Sequence, residues 1–213
     1  SALLPKEQIA RQFPNCDQVT ISDDLFTLNK GRVEDLVKAI REAGLHKRFF
    51  FICSSRSNTL NEDMCRLMVD MNMLLMCFGM ESGSDNIIRE LKGRGTSQKD
   101  YQRVLDLCQK FGLYAHGNFI VGSQNETTND LKMTYDFISR NQSQFASIYV
   151  THMTPFPGTK VWDDALASEV FDPKALDYRL LNLEYNAEKT VLLSSHHSRP
   201  FYSGAYQEFQ SLY

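Results

Sequence analysis

The chain has 213 residues, 42% of them apolar and 23% charged, with a net charge of −3; this mix suits one sizeable hydrophobic core and excludes a disordered chain. No apolar run approaches the roughly 20 residues that span a bilayer, the opening Ser1-Ala2-Leu3-Leu4-Pro5 lacks a signal pattern, and no Lys/Arg run exceeds two, so nothing marks a membrane protein or a basic nucleic-acid surface. The expected location is the cytoplasm, and the five cysteines, Cys16, Cys53, Cys65, Cys77 and Cys108, are odd in number and widely spaced, as reduced core residues are and a disulfide framework is not.

Along the chain, short β-rich runs alternate with longer helical ones. The first strand is expected at residues 18–21, before Ser22-Asp23-Asp24, and is followed by a helix over 30–43 with Val33, Leu36, Val37 and Ile40 on one face and Gly44 as its stop. The second strand spans 48–54; its continuous apolar run Phe49-Phe50-Phe51-Ile52 is the kind buried on both faces. Asn61 caps the next helix, with Met64, Leu67 and Met68 inward. A third strand over 74–80 leads through Glu81-Ser82-Gly83-Ser84 into a short helix at 85–91 and a longer one at 97–111. The fourth strand covers 114–121, and Thr127 or Thr128 opens a helix reaching Asn141 with Leu131, Tyr135 and Ile138 on its apolar side. A fifth strand at 147–153 precedes Thr154-Pro155-Phe156-Pro157-Gly158-Thr159 and a helix over 160–167. Beyond Phe171 the alternation fades, leaving residues 190–193 as a sixth, edge strand and 201–212 as a terminal helix.

Successive β-α units with short connections predict an α/β fold with a parallel sheet and outer helices, either a barrel or a doubly wound open sheet. Residues 1–170 would form the barrel and 171–213 an extension packed on it. In both architectures ligands bind at the carboxyl ends of the strands, which selects Asp23 and Asp24, Arg56, Glu81 with Ser82, Asn118 with Gly122, and His152 with Thr154. Each has a plainer reading: Asp23-Asp24 as turn residues, Arg56 as a solvated charge, His116 and His152 as hydrogen-bonded core histidines. Glu81 is harder to dismiss, because a carboxylate directly after an apolar run needs partners. No His-x-x-x-His, His-x-Glu or Cys-x-x-Cys spacing and no glycine-rich phosphate loop occurs, so no metal ligand is assigned. The eight methionines read as core filler.

The stretch Phe78-Gly79-Met80-Glu81-Ser82-Gly83-Ser84, followed by Leu91-Lys92-Gly93-Arg94-Gly95-Thr96, resembles a segment of radical S-adenosylmethionine (SAM) enzymes of the group that includes methylthiotransferases and cobalamin-dependent methylases. Blocks in the same order reinforce it: Asp23-Asp24-Leu25-Phe26-Thr27-Leu28-Asn29 upstream, then Gly117-Asn118-Phe119-Ile120-Val121-Gly122 with Glu126-Thr127, then Thr154-Pro155-Phe156-Pro157-Gly158-Thr159. The resemblance implies a partial (β/α)6 TIM-type barrel lacking its first strand. It also implies that Glu81 and Ser82 face the methionine or ribose part of SAM, that Arg94 pairs with its carboxylate, and that Asn118, Ile120 and Gly122 line the nucleoside. Asp23, Asp24, Arg56 and His152 would lie toward the substrate.

Three departures qualify the match. The family's Cys-x-x-x-Cys-x-x-Cys cluster loop is not found among these cysteines; with 5–13 resembling the first helix, the strand and loop carrying the [4Fe-4S] ligands are expected upstream of Ser1. Ser123-Gln124-Asn125 stands where a Pro-Gly turn is usual. Asp23-Asp24 replaces a glycine pair, as in the cobalamin-linked subgroup, whose cobalamin domain would also lie upstream. In the family, a reduced cluster cleaves SAM to a 5′-deoxyadenosyl radical that abstracts hydrogen from substrate, so the chain is expected to be a catalytic-domain fragment, inactive alone. Two other readings stand beside it: a cluster-free barrel that binds a nucleoside or protein partner, and an unrelated barrel enzyme using Glu81 and Asp24 as acid and base.

Overall fold

In a computed structural model of the chain, which describes residues 12, 14–182, 185–186 and 189–212, five strands form one sheet in the order β1 to β5. They are β1 (Gln18–Ile21), β2 (Phe50–Ser55), β3 (Met73–Glu81), β4 (Tyr114–Val121) and β5 (Ser147–His152). Every strand pairs with its successor in the chain, and a helix lies in each connection: α1 (Lys30–Glu42), α2 (Glu62–Asp70), α3 (Asp85–Lys92) with α4 (Gln98–Phe111), and α5 (Thr128–Arg140). α6 (Lys160–Ala167) and α7 (Arg199–Gln210) follow β5. β1–β2 and β2–β3 are parallel, and β5 runs alongside β4 in the same sense, with Ala146 N–H on the Ala115 carbonyl and Met153 N–H on that of Val121. A doubly wound sheet reverses its strand order at a switch point; this sheet does not, and the architecture is that of a partial barrel.

Local signals explain the element ends. Asn29 caps α1 by accepting from Arg32 N–H at 3.0 Å, and Gly44, at φ 69°, takes the left-handed conformation that stops it. Asn61 caps α2. Thr127 and Asp130 form a reciprocal capping box at α5.

Two expectations are corrected. The second strand starts at Phe50, not Arg48, because Arg48 and Phe49 donate their N–H groups to the Leu45 carbonyl in a tight turn. It is buried on one face: Phe51 and Cys53 are inside while Phe50 is 43% exposed. Residues 190–193 form no strand. The Thr190 carbonyl is taken by the Arg199 guanidinium and the Val191 carbonyl by the His152 ring, so these groups are not free to build a ladder. The helix expected at 5–13 lies outside the described residues apart from Gln12.

The chain divides into two compact units, one of Ser1–Gly79, Lys99–Gly117 and Gln144–Ser147, the other of Met80–Gln98, Asn118–Ser143 and Ile148–Tyr213. In the first, Val33, Val37 and Ile40 of α1, Met64, Cys65 and Met68 of α2, and Met76 and Phe78 of β3 are buried. In the second, Phe119 of β4 meets Phe137 of α5 at 6.3 Å between ring centroids, and Trp162, Tyr202 and Phe209 are also buried. Each buried Val, Ile, Met or Phe side chain among them contributes about 1.5–3 kcal/mol.

Candidate functional site at the strand ends

In the first unit the loops after β1 and β2 carry Asp23, Asp24 and Arg56. Asp23 is committed locally: its carboxylate accepts Leu25 N–H at 2.9 Å and pairs with Arg32 at 2.6 Å. Those two contacts, the Leu25 amide first, hold its carboxyl below the usual carboxylate value. Asp24 and Arg56 are exposed. Beneath them, Thr27 Oγ1 lies 2.6 Å from both the Ser55 and Thr59 hydroxyls, and the Thr59 hydroxyl donates to the Arg56 carbonyl at 2.8 Å. The loops that hold Asp24 and Arg56 are thus tied to each other.

In the second unit β3 ends at Glu81, which has φ 63°. That is the left-handed region, costly for a residue with a side chain. Ser82 N–H returns to the Met80 carbonyl at 2.7 Å, closing a three-residue turn around Glu81. The Glu81 carboxylate is 3.2 Å from the Lys92 ammonium at the end of α3, and both side chains keep about a fifth of their surface in solvent, 18% and 20%. Ser82 is fully buried and hydrogen-bonded to Thr134 of α5 at 2.8 Å. Arg94 is exposed in an open cleft of about 470 Å³ with Asp85, Arg89, Thr96 and Ser97.

Along β4, Ala115, Gly117, Phe119 and Val121 are buried, whereas His116, Asn118 and Ile120 share a half-exposed face. The loop after β4 closes as a turn, Glu126 N–H on the Ser123 carbonyl at 3.2 Å, despite lacking Pro-Gly. Gly122, at φ 88°, donates its N–H to the Glu126 carboxyl at 2.6 Å. A Cβ at Gly122 would lie 2.5 Å from the Tyr202 hydroxyl and 3.0 Å from His152 Nδ1. The space beside it therefore belongs to Tyr202 of α7. Glu126 is fully buried, and burial pushes its carboxyl up to about 8.

His152 closes β5 with 1% of its surface exposed. Its Nε2 faces the Val191 carbonyl at 2.9 Å, which can only accept, so Nε2 carries the proton and Nδ1 accepts from the Tyr202 hydroxyl at 2.9 Å. Burial pushes this imidazole down to about 4 and keeps it neutral. Both ring nitrogens are thus engaged within the unit.

Sequence reasoning located the strand tips and met Glu126 only as part of a matching block, with no role for it; Thr134, Asp130 and Tyr202 it did not find. A weak signal existed for two of them. Asp130 and Thr134 fall in the same helical stripe as Leu131, Tyr135 and Ile138, and polar residues on an apolar stripe need internal partners.

The sequence matches the radical SAM superfamily over residues 3–138. The chain belongs to this superfamily. That membership sets aside the reading as an unrelated acid-base barrel. It is 33% identical over 153 residues to an uncharacterized methyltransferase of Pyrococcus horikoshii, covering 72% of this chain and 32% of that protein. It is 21% identical over 174 residues to a cytidylyl-2-hydroxyethylphosphonate methyltransferase of Streptomyces wedmorensis, covering 77% of this chain and 31% of the relative. The chain thus spans about a third of the length of these curated relatives. Among solved structures it resembles the radical SAM methyltransferase TsrM of Kitasatospora setae, bound there to tryptophan substrate and a SAM analogue. The TM-score is 0.70 with 16% identity, over 97% of this chain and 45% of that one, a likeness of fold.

Residues of this radical SAM chain suit one family cofactor better than the other. At the tip of β3 and along β4, a carboxylate acceptor, an amide and an aliphatic side chain are partly open to solvent, a mix of polar and apolar groups of the kind that suits a nucleoside. The cysteines do not suit an iron-sulfur cluster. Burial pushes the thiols of Cys53, Cys65 and Cys108 up to about 12, 11 and 12, and among the described residues no group of three His, Cys, Asp or Glu side chains could hold a metal ion. No described helix is long and apolar enough to cross a membrane.

Proposed function

We propose that this chain is the SAM-holding barrel of a radical SAM enzyme, a methyl-transferring one by the kinship of its relatives, whose cluster ligands lie outside these 213 residues. The observation that carries the reading is Glu81, a half-buried carboxylate held in left-handed backbone geometry at a strand tip. Strain of that kind persists where surrounding structure enforces it, and it clusters at ligand sites.

SAM, when bound, would bring the family's adenosyl chemistry, and the part of this chain's own residues would be positioning. Glu81 accepts hydrogen bonds from the ribose hydroxyls while Lys92 balances its charge. Ile120 packs against the adenine and Asn118 completes the nucleoside wall, while Gly122, held by Glu126 and faced by Tyr202, shapes the turn behind them. Arg94 pairs its guanidinium fork with the methionine carboxylate. In the first unit, Asp24 and Arg56, exposed after β1 and β2, are the candidates for substrate contact. Ser82 and Asp23 serve by fixing their own loops, and His152 by tying the end of β5 to Val191 and Tyr202. Cobalamin, which TsrM binds, would be held by another part of the parent enzyme.

Calorimetry with SAM tests the reading. The chain is expected to bind SAM, and Glu81→Ala and Arg94→Ala each to weaken binding about tenfold, roughly 1.4 kcal/mol, as expected for hydrogen bonds to charged groups. A folded chain that ignores millimolar SAM would overturn it. Under anaerobic reduction this chain alone should release no 5′-deoxyadenosine, whereas a parent that includes the cluster ligands, reconstituted with iron and sulfide, should. A parent that binds SAM but never cleaves it would favour the cluster-free binding protein instead.

A further inference from the structure

Glu81 needs something to hold its backbone where a side chain is unwelcome, and the contacts around the following turn identify it. Thr134 of α5 is fully buried. Its single hydroxyl proton goes to the Asp130 carbonyl at 3.0 Å, the ordinary i−4 bond of a helical threonine. Its oxygen is then left to accept, and it does so twice, from the Ser82 hydroxyl at 2.8 Å and the Gly83 N–H at 2.9 Å. Ser82 Oγ, having donated, accepts Ser84 N–H at 3.0 Å. Ser84 in turn donates its hydroxyl to the Asp130 carboxylate at 2.5 Å. That carboxylate's other oxygen receives the N–H and hydroxyl of Thr127 at 3.0 and 2.6 Å. Every proton has one destination. Gly83 makes the docking close: a Cβ there would fall 2.5 Å from the Met133 carbonyl and 2.6 Å from Thr134 Cα.

We infer that Thr134 is a positioning residue, whose hydroxyl fixes residues 82–84 against α5 and so holds Glu81 in the left-handed geometry that presents its carboxylate. The functional half of this statement rests on the SAM reading above. The geometric half does not.

Thr134→Val keeps the shape and removes the hydroxyl; Thr134→Ser keeps the hydroxyl and removes a methyl. In nuclear magnetic resonance spectra, the Glu81 Cα and Cβ shifts should show the left-handed pattern in the wild type and in Thr134→Ser, and lose it in Thr134→Val. SAM affinity should fall about tenfold in Thr134→Val and return in Thr134→Ser, a rescue that loss of packing would not produce. Ser82→Ala, which breaks the same link from the other side, replaces Thr134→Val if that variant does not fold, with the same shift change expected. Unchanged Glu81 shifts, or wild-type affinity in a folded hydroxyl-less variant, would overturn the inference. A wild-type chain that binds no SAM defeats the functional reading, and the shift comparison still decides whether Thr134 sets the geometry.

Discussion

Glu126 has no solvent exposure, and its carboxyl takes a proton up to about pH 8 in the folded chain against an ordinary value of 4.5. Between pH 4.5 and 8 the folded state therefore binds more protons than the unfolded one, so stability declines as pH rises through that window and levels off above it. His152 acts with the opposite sign. Its value falls from 6.5 to about 4, so its contribution is lost as pH drops from 6.5 toward 4. Glu126→Gln retains an acceptor for the Gly122 amide and carries no titrating proton. In denaturant unfolding, stability should fall from pH 6.5 to 8 in the wild type and stay level there in this variant, with a gain on the order of 2 kcal/mol at pH 8; parallel profiles would show that Glu126 is ionised inside the fold. Residue-scale chemistry was only partly readable beforehand. The run before Glu81 marks it as a carboxylate in need of partners, but Ser82 and Thr134 stand 52 positions apart, and no local pattern announces such a pair.

Elements were easier to read than partners, for reasons visible in particular cases. β4 and α6 fall on their expected residues because Gly112 and the Thr159 cap mark their starts and period-2 or period-3.6 patterning runs to their ends. Residues 190–193 mislead because β-branching is a propensity, while a strand also needs free backbone partners. The contact of Gly83 with α5 yields a sharp expectation. Gly83→Ala places a methyl against helix backbone that no side-chain rotation can clear. Thermal unfolding should show a loss of about 3 kcal/mol or more, in the range of overpacking, whereas Gly204→Ala, with open space at its Cβ inside α7, should gain up to about 1 kcal/mol. Equal effects at the two sites would contradict the close docking.

For the molecule as a whole, the order of the sheet was within reach of sequence only as a choice between two topologies. Alternating strand and helix signals are common to both, and hydrogen-bonded neighbours decide between them. The thiols offer a test of how the interior is distributed. Cys53, Cys65 and Cys108 are buried, whereas Cys16 and Cys77 are half-buried; burial raises the Cys77 thiol as it does those of the three buried cysteines. A disulfide reagent should modify at most two sulfurs in the native chain and all five in guanidinium, with mass spectrometry placing the early labels at positions 16 and 77; rapid native labelling of Cys53 or Cys108 would refute this packing. The two-residue rhythm of β4 also constrains how such a protein can diversify. Inserting or deleting one amino acid there would turn Phe119 and Val121 outward and bring Asn118 and Ile120 into the interior. New specificities can therefore arise on that strand by exchanging side chains at its even-numbered positions, while single-codon changes in its length are closed to selection.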